Sequence, residues 1–265
     1  MEDYIKGNKE AWEEAFDHRD ENFCKDIGPI VKHGQYDYFE YEMKEELPKV
    51  DLKGKTIGQF CSNNGRELLS LVKSSGAKKG IGFDIAGNMV RFANQTAKDL
   101  SLPCEFIEGN ILELDDRYND TFDFVIITIG ALCWFKDLKE YFRQVSKCMK
   151  KGAQIYIHEQ HPLCNMLGCP GDEGYNENVP LNCLFSYFDH EWINNGGMTY
   201  ISGKNYDSKT FTDYTHSYSD IIGSMCANHM VITDLIESQW DIGGGFTNLN
   251  NQGLPLSLLI KGRKE

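Results

Sequence analysis

The chain has 265 residues, 41% of them hydrophobic and 25% charged, with aromatic residues along its whole length. This is more than one modal domain and less than two, and it excludes a disordered or collagen-like chain. Twenty-seven Lys and Arg against 40 Asp and Glu give a formal net charge of −13, and no basic patch offsets it, which disfavours nucleic acid and acidic membrane surfaces as partners.

The longest nearly apolar run, Val125 to Phe135, is half of what a membrane span needs, and the opening MEDYIKGNKE carries no secretion signal. The chain therefore reads as cytoplasmic. Nine cysteines is an odd number at irregular spacing in a long chain, which argues for reduced, mostly buried thiols rather than a disulfide framework. His161, Cys164 and Cys169, with Cys183 further on, carry soft donors but lack paired C-x2-C spacing, so no metal is expected.

Residues 1–47 are polar and aromatic, with Trp12 and Phe16 spaced for one helix face, and predict a helical N-terminal extension or lid. The rest, 48–265, reads as a single α/β unit. Thr56–Phe60 is a first strand, Asn63-Asn64-Gly65 a tight loop and Arg66–Ser74 a helix. The unit repeats as strand Gly80–Asp84 and helix Asn88–Leu100, then strand Glu105–Ile107. Phe122–Thr128, interrupted by Asp123, reads as a continuous apolar run typical of a strand buried on both faces of a parallel sheet. An amphipathic helix from Asp137 to Met149, closed by Lys150-Lys151-Gly152, leads to strand Gln154–His158.

This alternation predicts right-handed crossovers and an open, doubly wound Rossmann-like sheet. From 160 to 218 it stops, and the segment, rich in Gly, Asn and aromatics, reads as an irregular or antiparallel insertion over the sheet. A helix from Ser219-Asp220 to Asn228 and strands Val231–Glu237 and Leu254–Lys261 follow, the last two forming a terminal antiparallel pair that completes seven strands.

Ligands of such sheets bind at the carboxyl ends of the strands. The first loop, Cys61-Ser62-Asn63-Asn64-Gly65-Arg66-Glu67, is not G-x-G-x-x-G, so a dinucleotide is disfavoured. Asp84 closes the second strand, where a carboxylate reaches both hydroxyls of a ribose; the alternative is that it caps the next helix.

These segments resemble the class I S-adenosylmethionine-dependent methyltransferases, in a bacterial-type small-molecule branch, from about Trp12 to the C-terminus. That branch carries H-L-x-C-x-x-G-R-E in place of D-x-G-x-G-x-G. Here Gly65, Arg66 and Glu67 match, whereas Gln59, Cys61 and Asn63 replace an acidic or histidine residue and two glycines, and Ser62 stands where the branch has cysteine. Further matches are Gly82-Phe83-Asp84-Ile85, Gly109-Asn110-Ile111, Ile129 to Trp134, Lys151-Gly152 and Glu159-Gln160-His161-Pro162.

The resemblance implies S-adenosylmethionine as cofactor and methyl transfer to an oxygen, nitrogen or sulfur of a small molecule. Asp84 would hold the ribose, Ile85 and Met89 the adenine faces, and Asn110 with the Ile111 amide the adenine edge. Gln59, Cys61, Asn63, Asn64, Gly65 and Arg66 would surround the methionine part, with Gly109, Ile129, Gly130 and Trp134 completing the wall. Glu159 and His161, or His216 and Asp220, are candidate bases, against structural roles for each. Tyr38, Tyr187, Phe188, Trp192 and His216 are candidate substrate contacts, against a satellite core under a loop. The competing readings are a non-catalytic nucleoside-binding regulator, suggested by the altered first loop, and a methyltransferase acting on RNA or protein.

Overall fold

A computed structural model describes residues 2–188 and 191–265. Three helices, α1 (Asp3–Asp17), α2 (Ile27–His33) and α3 (Tyr41–Glu46), precede the sheet. Then come β1 (Thr56–Phe60), α4 (Arg66–Ser75), β2 (Lys79–Asp84), α5 (Gly87–Asp99), β3 (Cys104–Glu108), β4 (Phe122–Ile127), α6 (Leu138–Cys148) and β5 (Met149–Gln160). A small antiparallel pair, β6 (Trp192–Asn194) and β7 (Phe211–Asp213), flanks the short α7 (Thr199–Ser202), and α8 (Tyr218–Ala227), β8 (Met230–Ser238) and β9 (Ser257–Lys264) close the chain.

The seven-stranded sheet runs β3-β2-β1-β4-β5-β9-β8, with β1 to β5 parallel and β9 antiparallel to both β5 and β8. The order reverses beside β1, between β1 and β4, and that is the switch point of a doubly wound sheet. Strand β4 explains its own continuous apolarity. Val125 and Ile127 face the core built with α6 and α8, among Tyr141, Phe142 and Met225, whereas Phe124 and Ile126 face the core built with α2 to α5, among Leu68, Leu69 and Ala93. Both faces are dry from Phe124 to Ile127, and the one polar residue of the strand, Asp123, sits at its start, where it accepts from Thr56 N–H and pairs with Lys150.

Three boundaries differ from the sequence reading. Lys150-Lys151-Gly152 does not close α6 but lies inside β5: Phe122 pairs with Met149 and Phe124 with Gln154, and the extra residues are accommodated in a bulge where Gly152 takes φ +80°. Helix α8 is capped by Ser217 rather than by Ser219, its hydroxyl accepting from Asp220 N–H while the Asp220 carboxylate accepts from Ser217 N–H. The last strand begins at Ser257 and not at Leu254, because Pro255 has no N–H for the ladder. Among the described residues, no helix is long and apolar enough to cross a membrane.

Candidate active site

The carboxyl ends of β1, β2, β3 and β4 open into one cavity of about 370 Å³, the size of a small-molecule site. Its floor is the loop after β1. Cys61 and Asn63 adopt φ of +63° and +48°, and Gly65 +82°, so the loop takes left-handed turns at alternate residues. Cys61 and Asn63 stand where the commoner D-x-G-x-G-x-G pattern has its first two glycines. The glycine-like path is thus kept by non-glycine residues, at a local conformational cost that the surrounding bonds offset. Ser62 N–H donates to Phe83 O over 2.9 Å and Asn63 N–H to Asp84 Oδ2 over 2.7 Å, which ties the loop to β2.

Gly65 serves packing. A Cβ there would lie 2.6 Å from the Phe106 ring and 2.8 Å from Ala93, so the start of α4 can approach β3 and α5 only without one. Gly65 does not border the cavity, and neither do Gln59 and Asn64. Gln59 is fully buried with its amide directed at the Thr128 hydroxyl, and the Asn64 amide meets Cys24 Sγ. These three of the expected cofactor contacts shape the loop from behind. Cys61, Asn63, Arg66, Asp84, Ile85, Met89, Gly109, Asn110, Ile111, Ile129, Gly130 and Trp134 all line the cavity.

Asp84 is nearly buried, and its carboxylate accepts backbone N–H groups, Oδ1 from Ala86 and Oδ2 from Asn63. Burial pushes its carboxyl up, and the amide bonds pull it back. Arg66 is committed to its neighbour, Nε donating to Glu67 Oε1 over 2.7 Å, and the Glu67 charge raises the guanidinium further. Its guanidinium also sits 5.6 Å above the Tyr38 ring.

The two expected bases, Glu159 and His161, do not line the cavity. The Glu159 carboxylate accepts from the N–H groups of Gly130, Ala131 and Leu132 at 3.0–3.2 Å and from Gln160, and so builds the wall after β4 without bordering the cavity. His161 accepts from Leu163 N–H at Nδ1, which leaves the neutral ring's proton on Nε2 between Glu237 Oε1 and the Tyr218 hydroxyl; burial lowers its pKa. Asp220 is the N3 residue of the α8 capping box, its carboxylate accepting from Ser217 N–H.

None of the five expected substrate contacts borders the cavity either. Tyr38 lies under Arg66, the Tyr187 hydroxyl accepts from Tyr218 N–H, Phe188 is 68% exposed, Trp192 packs edge-on against Phe185, and His216 Nε2 lies 3.0 Å from Phe135 O. Cys183 is exposed and the Cys164 thiol meets Leu256 O; among the described residues no group of three metal-ligating side chains assembles.

The roof comes instead from Ile5, Asn8 and Trp12 of α1, from Phe23, from Met198 and Tyr200 around α7, and from Ile242 and Gly243 of the β8–β9 loop. Positions 5, 8 and 12 form one helical face, and that spacing was the available signal. Trp12 closes the roof onto the wall, its ring 5.2 Å from Trp134 at an interplanar angle of 83°.

Residues 59–152 match the sequence model of a methyltransferase domain. No curated protein sequence matches the chain significantly. Among solved structures, the chain is similar to an S-adenosylmethionine-dependent methyltransferase from Clostridium acetobutylicum (14% identity, 92% of this chain and 98% of that one, TM-score 0.60). A Mesorhizobium loti S-adenosylmethionine-dependent methyltransferase gives the same score at 14% identity, over 83% of this chain and 97% of its own. The geranyl diphosphate C-methyltransferase of Streptomyces coelicolor A3(2), solved with Mg2+, a substrate analogue and S-adenosyl-L-homocysteine, covers all of this chain and 99% of its own at 13% identity and TM-score 0.63. The chain thus shares the fold of these solved structures, and the part that matches the methyltransferase-domain model, residues 59–152, runs from β1 into β5.

Proposed function

We propose that the cavity binds S-adenosylmethionine and that the protein transfers its methyl group to a nucleophile on a small molecule. The observation that carries this reading is Asp84, a nearly buried, cavity-lining carboxylate at the switch-point edge that is held by the backbone N–H groups of Ala86, Asn63 and Ile85 and by no cation. A carboxylate so placed suits two adjacent hydroxyls. Ile85, Met89 and Ile111 offer apolar surface beside it for a base, and the left-handed loop at Cys61 and Asn63 brings backbone close to the cavity floor. That preserved path argues against the regulator reading, which rested on the lost glycines.

Bound there, S-adenosylmethionine supplies a methyl group activated on a sulfonium. The chain's own contribution is binding, orientation and exclusion of water by the α1 roof and by Trp134. Glu159 has its oxygens engaged by four amides and so orients the loop after β4. The roof elements, residues 1–47 and 160–218, form a cover on the sheet edge. The high acidity of the chain supports a small acceptor over RNA.

Isothermal titration with S-adenosylmethionine and with S-adenosylhomocysteine tests the reading. Micromolar binding is expected, weakened at least about 100-fold in Asp84→Ala. Absence of binding to both ligands by the native chain overturns it.

A further inference from the structure

The floor and the roof of the cavity differ in chemical kind. Among the described residues, the charged side chains that line it are Arg66, Glu67 and Asp84, and all three belong to the floor. Each is committed there: Arg66 Nε donates to Glu67 Oε1 over 2.7 Å, and Asp84 accepts from the Asn63 and Ala86 amides. The roof is laid over them from separate segments and presents Ile5 and Trp12 of α1, Phe23, Met198 and Tyr200 around α7, and Ile242 of the β8–β9 loop.

The aromatic members of the roof brace one another. Trp12 lies edge-on to Trp134 at 5.2 Å and to Phe211 at 5.4 Å, and Phe23 meets Tyr200 at 6.0 Å and 62°. Its polar groups are turned elsewhere. The Asn8 amide uses both its oxygen and its nitrogen on the Thr212 backbone, at 2.7 Å each. The Tyr200 hydroxyl is turned to the Asn63 side chain on the floor, and burial pushes the phenol up, so the ring carries no charge.

A charged molecule entering under this roof gives up its water shell and meets no partner of opposite sign there. An anion finds the lining cation, Arg66, already paired with Glu67. An ammonium faces the methyl donor's own sulfonium, and like charges at methyl-transfer distance repel. Apolar surface, by contrast, is stabilised by burial against these rings and aliphatic side chains.

Resting on the methyltransferase reading, we propose that this roof is the acceptor subsite and that the methyl acceptor is an uncharged small molecule with an apolar or aromatic body, buried under Trp12, Phe23, Met198 and Ile242. Selection of the acceptor then lies in the cover, and the strand ends hold the cofactor.

The probes are 4-ethylphenol, tyramine and 3-(4-hydroxyphenyl)propionate, which share one frame and carry at the chain end a hydrogen, an ammonium and a carboxylate. Each is titrated calorimetrically at pH 7.5 into the free protein and into the protein saturated with sinefungin, an analogue whose amine supplies the positive charge of the sulfonium. The neutral probe binds at least ten times more tightly than either charged one. Ile242→Lys places a cation in the roof, and the carboxylate probe then binds at least as tightly as the neutral one. Equal or tighter binding of either charged probe by the native protein, no binding of the neutral probe, or an unchanged order in Ile242→Lys overturns the assignment. Unaltered S-adenosylhomocysteine binding shows that the variant is folded, and the native order decides by itself should the variant not fold. Failure of the native protein to bind S-adenosylhomocysteine removes the cofactor reading instead, and the order of the probes on the free protein still decides the roof.

Discussion

The indole of Trp12 meets that of Trp134 edge-on at 5.2 Å, and this contact joins the N-terminal helix to the loop after β4 across the mouth of the cavity. Helix α1 is held elsewhere as well: Asn8 exchanges two hydrogen bonds with Thr212 of β7, Glu13 accepts from Gly87 N–H, and the Asn88 amide donates to Glu13 O and Asp17. The two indoles add the aromatic contact between this helix and the wall after β4.

Trp12→Ala removes that contact while leaving the anchors to α5. The variant is expected to retain the fold and to bind S-adenosylmethionine about tenfold or more weakly, from loss of a buried aromatic contact worth roughly 1–2 kcal/mol beyond solvent exclusion. Titration of the variant against the native chain reads this directly; unchanged affinity would mean that the roof stays closed without Trp12.

Gly65→Ala combines a left-handed φ with a Cβ pressed against Phe106 and Ala93. Both effects act on the folded state, and a loss of about 2–4 kcal/mol is expected, read as a lower urea midpoint at constant slope. The native fluorescence baseline before the transition separates destabilisation from outright misfolding.

Glu159→Gln replaces one of two acceptor oxygens with a donor, facing amides that can only donate. A stability loss of about 2–4 kcal/mol follows from the unsatisfied groups. Any fall in turnover should track the fraction folded, with the pH dependence unaltered; a changed pH profile at full folding would return Glu159 to proton transfer.

Asp213 sets a pH dependence of stability. Its folded carboxyl, near 6, stands above the ordinary value of 3.8, so the native state favours the protonated form. The stability gained from that proton is complete below about pH 3.8 and is lost as pH rises through about 6. At pH 8 the ionised group is a net burden, and Asp213→Asn should stabilise the fold by about 2–3 kcal/mol there, with little difference at pH 4. Urea melts at the two pH values measure the contrast; a variant less stable at pH 8 would mean that the carboxylate has a favourable partner.

Periodicity along the chain carried the α/β alternation because it reflects local geometry. The doubly buried strand at Phe122–Ile127, the amphipathic α6 and the carboxylate ending β2 are each legible from neighbours a few positions away. Strand ends were legible only to within a few residues, since the bulge at Gly152 and the late start at Ser257 depend on which strand lies alongside. The four strand-end segments of the cavity could be read from their position after each strand.

The cover could not be read in this way. Tyr187, Phe188 and Trp192 are as aromatic as Trp12, Phe23 and Tyr200, but whether a ring faces the cavity, solvent or another ring depends on how α1 and the 160–218 insertion are laid over the sheet. Glu159 and His161 likewise have the residue types of catalytic bases, and only the tertiary structure brings the Gly130–Leu132 amides to the one and Tyr218 and Glu237 to the other. Local pattern fixes which elements form and which edge of the sheet is open to a ligand. Long-range packing decides which polar groups face the cavity, as Asp84 does, and which are turned to other partners.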